Sequence, residues 1–237
     1  MSSIGSDVIN LANNQIGLIL SLIAALATMI GWVIVAVKKG LSDSVVAVAL
    51  LVAAGAMILV SIIELIPTAQ KVGLEITSIL FWLAAGVLIV LVLRFLSNRL
   101  EVAGDKLEKS AILVAIALTL HNFPEGSVAI STTIVDLNSG LIAASAITLH
   151  NIPEGLAIAV TAVAAKMSGK KVFALVAAAT ISEMLGAALV FYESQALSEL
   201  LVAKLLTMVA GIMFTVAITE LIPHGISSFK RGKKDSK

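Results

Sequence analysis

Residues 16–37 read IGLILSLIAALATMIGWVIVAV and contain no charged side chain over 22 positions. A helix needs about 20 apolar residues to cross the hydrocarbon core of a bilayer. The composition of the whole chain agrees, since 59% of its 237 residues are hydrophobic and only 13% are charged. Soluble domains are about 45–50% apolar and about 25% charged. The sequence therefore excludes a water-soluble enzyme and predicts an integral membrane protein.

Six further stretches of similar length and apolarity follow the first one. They are too long for barrel strands and lack an alternating pattern, so strands are excluded. The expected fold is an all-α polytopic membrane protein, with residues 1–237 forming one transmembrane domain. Its seven predicted spans are 16–37, 44–66, 76–97, 110–131, 139–165, 171–192 and 200–222.

Two counts remove other classes of protein. The chain contains no cysteine, which excludes disulfides, thiolate metal sites and cysteine nucleophiles. The net charge is +1, and the basic residues are not gathered on one helix or stripe, so nucleic acid is not an expected partner.

The basic residues predict the orientation in the membrane, because Lys and Arg concentrate in cytoplasmic loops. With the N-terminus outside and the C-terminus in the cytoplasm, 14 of the 16 basic residues lie on the inner side, leaving Lys71 and Lys204 outside. The 14 inner residues are Lys38, Lys39, Arg94, Arg99, Lys106, Lys109, Lys166, Lys170, Lys171, Lys230, Arg231, Lys233, Lys234 and Lys237.

Three carboxylates fall near the middle of predicted spans, where lipid penalises charge. Glu125, Glu154 and Glu183 lie in spans 4, 5 and 6, and no Lys or Arg occurs at that depth. A single charge at the bilayer centre costs at least ~2.5–3.5 kcal/mol. These side chains are therefore either protonated or neutralised by a bound cation.

A duplicated motif favours the cation. Residues 117–126 read ALTLHNFPEG and residues 146–155 read AITLHNIPEG, identical at eight of ten positions. His and Glu at i and i+4 share one helix face, and Asn at i+1 adjoins the same Glu. Imidazole with carboxylate suits zinc, iron and similar transition metals. The candidate ligands are His121, Asn122, Glu125, His150, Asn151, Glu154 and Glu183.

Simpler explanations exist for each piece of the motif. A Pro-Gly pair in a membrane helix often only shapes packing, and a single buried His is commonly a hydrogen-bonded core residue. Neither explains His and Glu on one face in both copies, so a metal site is the preferred hypothesis. Proline at i+3 removes a backbone donor, and we expect it to open each helix beside the ligands.

A second repeat links spans 2 and 7. Residues 55–67 (GAMILVSIIELIP) and 211–223 (GIMFTVAITELIP) agree at eight of 13 positions. Both repeats pair spans that run in opposite directions, as in alternating-access carriers. Glu64 near the outer mouth and Glu220 with His224 near the inner mouth become candidate pathway residues. Ordinary interfacial carboxylates would give the same pattern.

These residues resemble the ZIP (Zrt- and Irt-like) divalent metal transporters. The resemblance rests on the two His-Asn-x-Pro-Glu-Gly copies and on Glu183, and it extends over most of the chain. It implies import of zinc, iron, manganese or cadmium into the cytoplasm, without enzymatic activity or an organic cofactor. It also implies a location in the cell membrane, a homodimer, and an elevator-like movement of spans 1, 4, 5 and 6. Family members usually have eight spans, one more than the seven predicted here.

The resemblance further implies a binuclear site and a role for one methionine. One metal position would use His121, His150 and the two glutamates of the repeat; the other would use both asparagines, the same glutamates and Glu183. Met57 resembles the family residue that lines and gates the outer path, although methionines at such positions are often packing residues.

Two other functions remain open at this point. A membrane subunit or sensor could bind metal through the same residues without transporting it. An intramembrane metalloenzyme is less favoured, because the motif lacks the His-Glu-x-x-His arrangement of metalloproteases.

Overall fold

The computed structural model describes residues 3–38, 41–99, 106–193 and 197–235, with side chains for 11–38, 41–97, 107–193 and 197–233. Within these ranges the chain is helical and has no strand. Seven helices are long and apolar enough to cross a membrane, which confirms the predicted all-α fold with seven spans. Among the residues used to predict orientation, the side chains of Lys39, Arg99, Lys106, Lys234 and Lys237 lie outside the described residues.

We number the helices α1 to α7 in chain order. Two of them, α2 and α7, contain a π-helical turn between two α-helical parts. The bounds are α1 Ser3–Val37, α2 Asp43–Val60 with π turn Ser61–Leu65 and Ile66–Lys71, α3 Ile76–Arg99, α4 Lys106–Val135, α5 Leu137–Ala164, α6 Gly169–Glu193, and α7 Glu199–Val216 with π turn Ala217–Leu221 and Ile222–Asp235.

Three helix ends differ from the predicted spans by five residues or more. Helix α1 begins at Ser3 rather than at residue 16, and α2 continues past Pro67 to Lys71. Helix α7 continues to Asp235 instead of ending near residue 222. Its last turns are held by Arg231, whose Nε lies 3.4 Å from Oδ2 of Asp43 at the start of α2.

Side-chain caps define the starts of several helices. Asp136 precedes α5, and its Oδ2 accepts hydrogen bonds from Ser139 Oγ at 2.7 Å and from Ser139 N–H at 2.8 Å. These two bonds hold the pKa of the exposed Asp136 carboxyl below its usual value. Ser42 and Ser198 cap α2 and α7 in the same way. Such caps satisfy amide groups that have no partner within the helix.

The helices pack as two groups. Helices α1, α4, α5 and α6 contact one another extensively, and α7 packs extensively against both α2 and α3. The groups meet mainly where α2 lies against α5 and where α7 lies against α4. The duplicated motif and Glu183 belong to the first group, and Glu64 and Glu220 belong to the second.

Glycines allow the closest helix contacts in the first group. A Cβ atom added to Gly155 would lie 1.8 Å from the Thr28 carbonyl oxygen on α1, and one added to Gly126 would lie 1.9 Å from the Glu183 carbonyl oxygen on α6. No side chain fits either position. The glycine that follows each motif glutamate therefore brings α1 and α6 directly against the helices that hold the candidate ligands.

Candidate metal centre

The candidate ligands on α4, α5 and α6 are buried. The exposed fractions of His121, Glu154 and Glu183 are 0%, that of Glu125 is 1%, and that of His150 is 4%. Both asparagines of the motif are also completely buried. The structure therefore places the seven residues singled out from the sequence inside the first helix group, on three adjacent helices.

Three of these residues form a compact set of donor atoms. One ligand atom each from His121, Glu125 and Glu154 lies within 4.8 Å of the other two, an arrangement that could hold a metal ion. His121 Nε2 lies 3.0 Å from Glu154 Oε1 and 3.8 Å from Glu125 Oε2. The i, i+4 pair on α4 thus meets a carboxylate that α5 supplies.

The second histidine joins the cluster through Glu125. His150 Nε2 lies 3.3 Å from Glu125 Oε1, so the carboxylate of Glu125 stands between the two imidazoles. The two motif copies are therefore interleaved, because each histidine approaches the glutamate of the other helix.

Many polar atoms of the cluster have no hydrogen-bond partner among the residues that the structure describes. They include Oε2 of Glu154, Nδ1 of both histidines and both side-chain polar atoms of Asn122. Leaving a buried polar group unpaired costs about 1–3 kcal/mol, and more if it is charged. A metal ion would satisfy these atoms, and the imidazole and carboxylate groups are suitable ligands for zinc.

The remaining two candidates contact each other beside this cluster. Asn151 Nδ2 donates to Glu183 Oε1 at 3.0 Å and to Oε2 at 2.9 Å, and to the Ala24 carbonyl oxygen of α1 at 2.8 Å. Oδ1 of Asn151 is buried without a partner in the described part of the chain. This pair supplies amide and carboxylate oxygens, a harder donor set than the histidine-containing cluster.

The motif prolines do not open their helices. Helices α4 and α5 continue without a break through Pro124 and Pro153, contrary to the expectation from the sequence. Each proline lacks the N–H that would bond the carbonyl of Leu120 or Leu149, but the neighbouring turns keep helical geometry. The irregular turns instead lie in α2 and α7, where Ile66 N–H bonds the Ser61 carbonyl and Ile222 N–H bonds the Ala217 carbonyl.

A cavity of about 620 Å³ leads to the cluster from one side of the molecule. Glu125 and His150 lie on its wall, together with the half-buried Glu64 and with Lys71 at the end of α2. Met57 is buried, with an exposed fraction of 1%, and does not line this cavity. Of the two outer-side candidates, Glu64 is therefore the one in contact with the space around the metal ligands.

The opposite side is closed around Glu220. This carboxylate accepts a hydrogen bond from Ser110 Oγ of α4 and lies 3.5 Å from Arg94 Nη1 of α3. His224 Nδ1 lies 2.7 Å from the Glu220 carbonyl oxygen and 3.4 Å from Ser110 Oγ. The cavity between Ser110, Thr161 and His224 is only about 10 Å³, no larger than one water molecule.

Sequence reasoning missed two residues of the cluster around Glu220. The sequence marks Arg94 only as a basic residue that indicates orientation, and Ser110 only as the first residue of a predicted span. No local pattern links either of them to Glu220, because their contacts span 110 to 126 positions of the chain.

A polytopic helical membrane protein with buried imidazole and carboxylate donors at the end of a cavity has the features of a membrane metal-binding protein. Comparison with known proteins agrees, since residues 98–237 match the model of the family described as ZIP zinc transporter. The chain belongs to the ZIP family, as the resemblance in its motifs predicted. The family is one of transporters, and its members support metal-ion transport as the function of this chain.

Curated relatives cover nearly the whole chain. The zinc transporter ZupT of Streptococcus mutans serotype c is 33% identical over 227 residues, which cover 86% of this chain and 85% of the relative. The proteins of the same name from Enterobacter sp. strain 638 and Salmonella newport are 30% and 32% identical, and each alignment covers 88% of this chain and 86% of the relative.

Proposed function

We propose that the protein imports a divalent transition metal, with zinc as the leading substrate, into the cytoplasm through the cluster on α4, α5 and α6. The observation that carries the proposal is a group of buried carboxylates and imidazoles, with unpartnered donor atoms, on the wall of a cavity of about 620 Å³. The relatives named as zinc transporters support zinc over iron, manganese or cadmium.

We further propose that transport proceeds by alternating access. The cavity beside Glu64 corresponds to the outer side if the basic residues face the cytoplasm, and the closed end around Glu220 then corresponds to the inner side. The division into two helix groups supports a movement of α1, α4, α5 and α6 against α2, α3 and α7, as in an elevator. On this proposal the present conformation is open to the outside.

The proposed site holds two ions. His121, Glu125, His150 and Glu154 would bind one, and the asparagines, with Glu125, Glu154 and Glu183, would bind the other. The proximity of Asn151 to both oxygens of Glu183 supports the second position. We expect two zinc ions per chain in the purified protein and one in Glu183→Gln, measured by metal analysis after dialysis. An unchanged count in the variant would remove Glu183 from the ligand set.

Zinc uptake into proteoliposomes tests transport directly. Glu154→Gln removes a charge from the cluster without changing side-chain shape, and we expect uptake to fall by at least tenfold. Glu199→Gln is the matched control, because Glu199 is exposed in the first turn of α7, and its uptake should stay near wild type. Equal uptake in the two variants would contradict the assignment.

A metal sensor or non-transporting subunit is the second candidate function. It would bind zinc through the same ligands, so Glu154→Gln would weaken binding in both cases. Wild-type protein that binds zinc at the cluster but gives no uptake above empty liposomes would identify this alternative. Competition with iron(II), manganese and cadmium in the uptake assay would rank the substrates.

The proposed setting is the cell membrane, with the N-terminus outside and the C-terminus in the cytoplasm. A homodimer is proposed from the family resemblance. The distribution of molecular mass in detergent, measured by light scattering, tests it.

A further inference from the structure

The two glutamates of the α2/α7 repeat lie in different environments. Glu64 faces the large cavity and has no hydrogen bond or ion pair with another described residue. Glu220, its counterpart, is 5% exposed and is held by Ser110 and Arg94. The repeat therefore has an open end and a closed end, and at the closed end an arginine forms an ion pair with the glutamate.

The contacts of Glu220 come from both helix groups. Arg94 lies on α3, in the same group as Glu220, whereas Ser110 lies on α4, in the group that contains the metal ligands. Any separation of the two groups at this end must break the bond between Ser110 and Glu220. A buried carboxylate that loses such partners is costly unless another cation replaces them.

We propose that Arg94 is a positioning residue that holds Glu220 against Ser110 and thereby keeps the inner end closed while the outer cavity is open. The guanidinium neutralises Glu220 in this conformation, so the carboxylate needs no metal until the two helix groups move. This inference rests on the proposed transport function, but it concerns access to the inner end and not binding at the cluster.

The absence of cysteine from the chain makes the inference directly testable. Thr161 is 6% exposed and lines the water-sized cavity beside Ser110 and His224, so Thr161→Cys gives a nearly isosteric reporter. A membrane-impermeant thiol reagent, applied without metal to the proposed cytoplasmic face of the reconstituted protein, should label this cysteine slowly.

Removing the positive charge should speed the labelling. In the Thr161→Cys background, Arg94→Gln is expected to raise the labelling rate roughly fivefold, the effect of losing one good ion pair. Arg94→Lys keeps the charge and should restore a rate close to that of the reporter alone. A structural role of Arg94 in folding would not give this difference between Gln and Lys.

Lys171→Gln is the matched control. Lys171 Nζ lies 3.5 Å from Glu108 Oε1, the same separation as that of Arg94 and Glu220, but this pair joins α4 and α6 within one helix group. Its removal should leave the labelling rate unchanged. Equal rates in Arg94→Gln and Lys171→Gln would overturn the inference, as would rapid labelling of the reporter without either change.

Zinc binding separates this outcome from failure of the proposed function. Arg94→Gln should bind zinc at the cluster like wild type, because Arg94 contacts none of the candidate ligands there. If the wild-type protein failed to bind zinc or to take it up, the transport proposal would be refuted. The labelling rates report only on access to the inner end.

Discussion

Gly155 shows how strongly a single atom is constrained beside the candidate metal centre. It follows Glu154 on α5, and its Cα faces the backbone of α1, where the nearest atom to an added Cβ is the Thr28 carbonyl oxygen. The position of Glu154, the candidate ligand before Gly155, is therefore fixed by contact between the backbones of α1 and α5. Backbone atoms cannot move aside as a flexible side chain can.

Gly155→Ala should impair both folding and transport. The new methyl group would lie 1.8 Å from the Thr28 oxygen, so α1 and α5 must separate, at a cost of about 1–3 kcal/mol for overpacking. We expect a lower melting temperature in detergent and weaker zinc uptake.

Gly55→Ala is the control for that substitution. Gly55 lies within α2, and nothing lies within 4 Å of its added Cβ, so alanine should be neutral or stabilise the helix by about 0.5–1 kcal/mol. Similar melting temperatures for the two variants would mean that the α1–α5 contact is not as close as described.

At the scale of the helices, the caps and π turns decide where each element begins, bends and ends. Asp136 is the clearest case, because it is the N-cap of α5, the helix that supplies His150 and Glu154. Its hydrogen bonds from Ser139 stabilise the charged form of the carboxyl, which lowers its pKa in the folded protein.

This pKa difference predicts a dependence of stability on pH. A carboxyl whose pKa is lower in the folded state contributes stability above its unfolded pKa, near 3.9, and loses it as pH falls through the folded pKa. Wild type should melt at a slightly higher temperature than Asp136→Ala at pH 6. The gap should narrow as the pH falls from about 4 through the lower folded pKa, and a gap that did not change with pH would contradict the role of the charge.

The sequence predicts the existence of the helices far better than their ends. Seven apolar runs are enough to define seven spans, since each must satisfy its own backbone in lipid. The extension of α2 past Pro67 depends on a hydrogen bond from residue i+5 to residue i, and that of α7 depends on Arg231 reaching Asp43. Neither contact has a local signal.

The candidate site shows the same limit, because residues that share a helix face can be predicted from the sequence and contacts between distant helices cannot. The i, i+4 spacing predicts that His121 and Glu125 share a face, and the repeat points to Glu154. By contrast, the bonds from Asn151 to Glu183 and the contacts of Arg94 and Ser110 with Glu220 depend on how distant helices pack. The expected opening at the motif prolines was wrong, because the flanking turns remain helical.

At the scale of the whole molecule, the two ends of the helix bundle differ, because a cavity opens beside Glu64 and contacts between helices close the end at Glu220. The orientation proposed for the protein can be tested without any transport measurement. Asn138 lies in the first turn of α5, on the proposed outer side, and Lys170 lies at the start of α6, on the proposed inner side. Both are exposed.

Single cysteines at these positions should differ in accessibility from outside the cell. An impermeant thiol reagent added to intact cells should label Asn138→Cys and leave Lys170→Cys unlabelled until the membrane is permeabilised. The reverse pattern would invert the proposed direction of transport.

Acidification should weaken zinc binding by the whole protein. Histidine ligands must be deprotonated to bind metal, and an ordinary histidine has a pKa near 6.5. Lowering the pH from 7.5 to 5.5 should therefore reduce zinc affinity by at least about tenfold for each histidine that coordinates the ion. Calorimetric titration across this range measures the effect, and a flat profile would exclude both histidines as ligands.

The π turns have a consequence for a cation in transit. Pro67 and Pro223 follow these turns, and because proline has no N–H, each removes one backbone donor that could pair with a carbonyl of its turn. On the proposed transport path, a peptide oxygen left without that donor could take the place of water that a metal ion sheds near Glu64 or near Glu220.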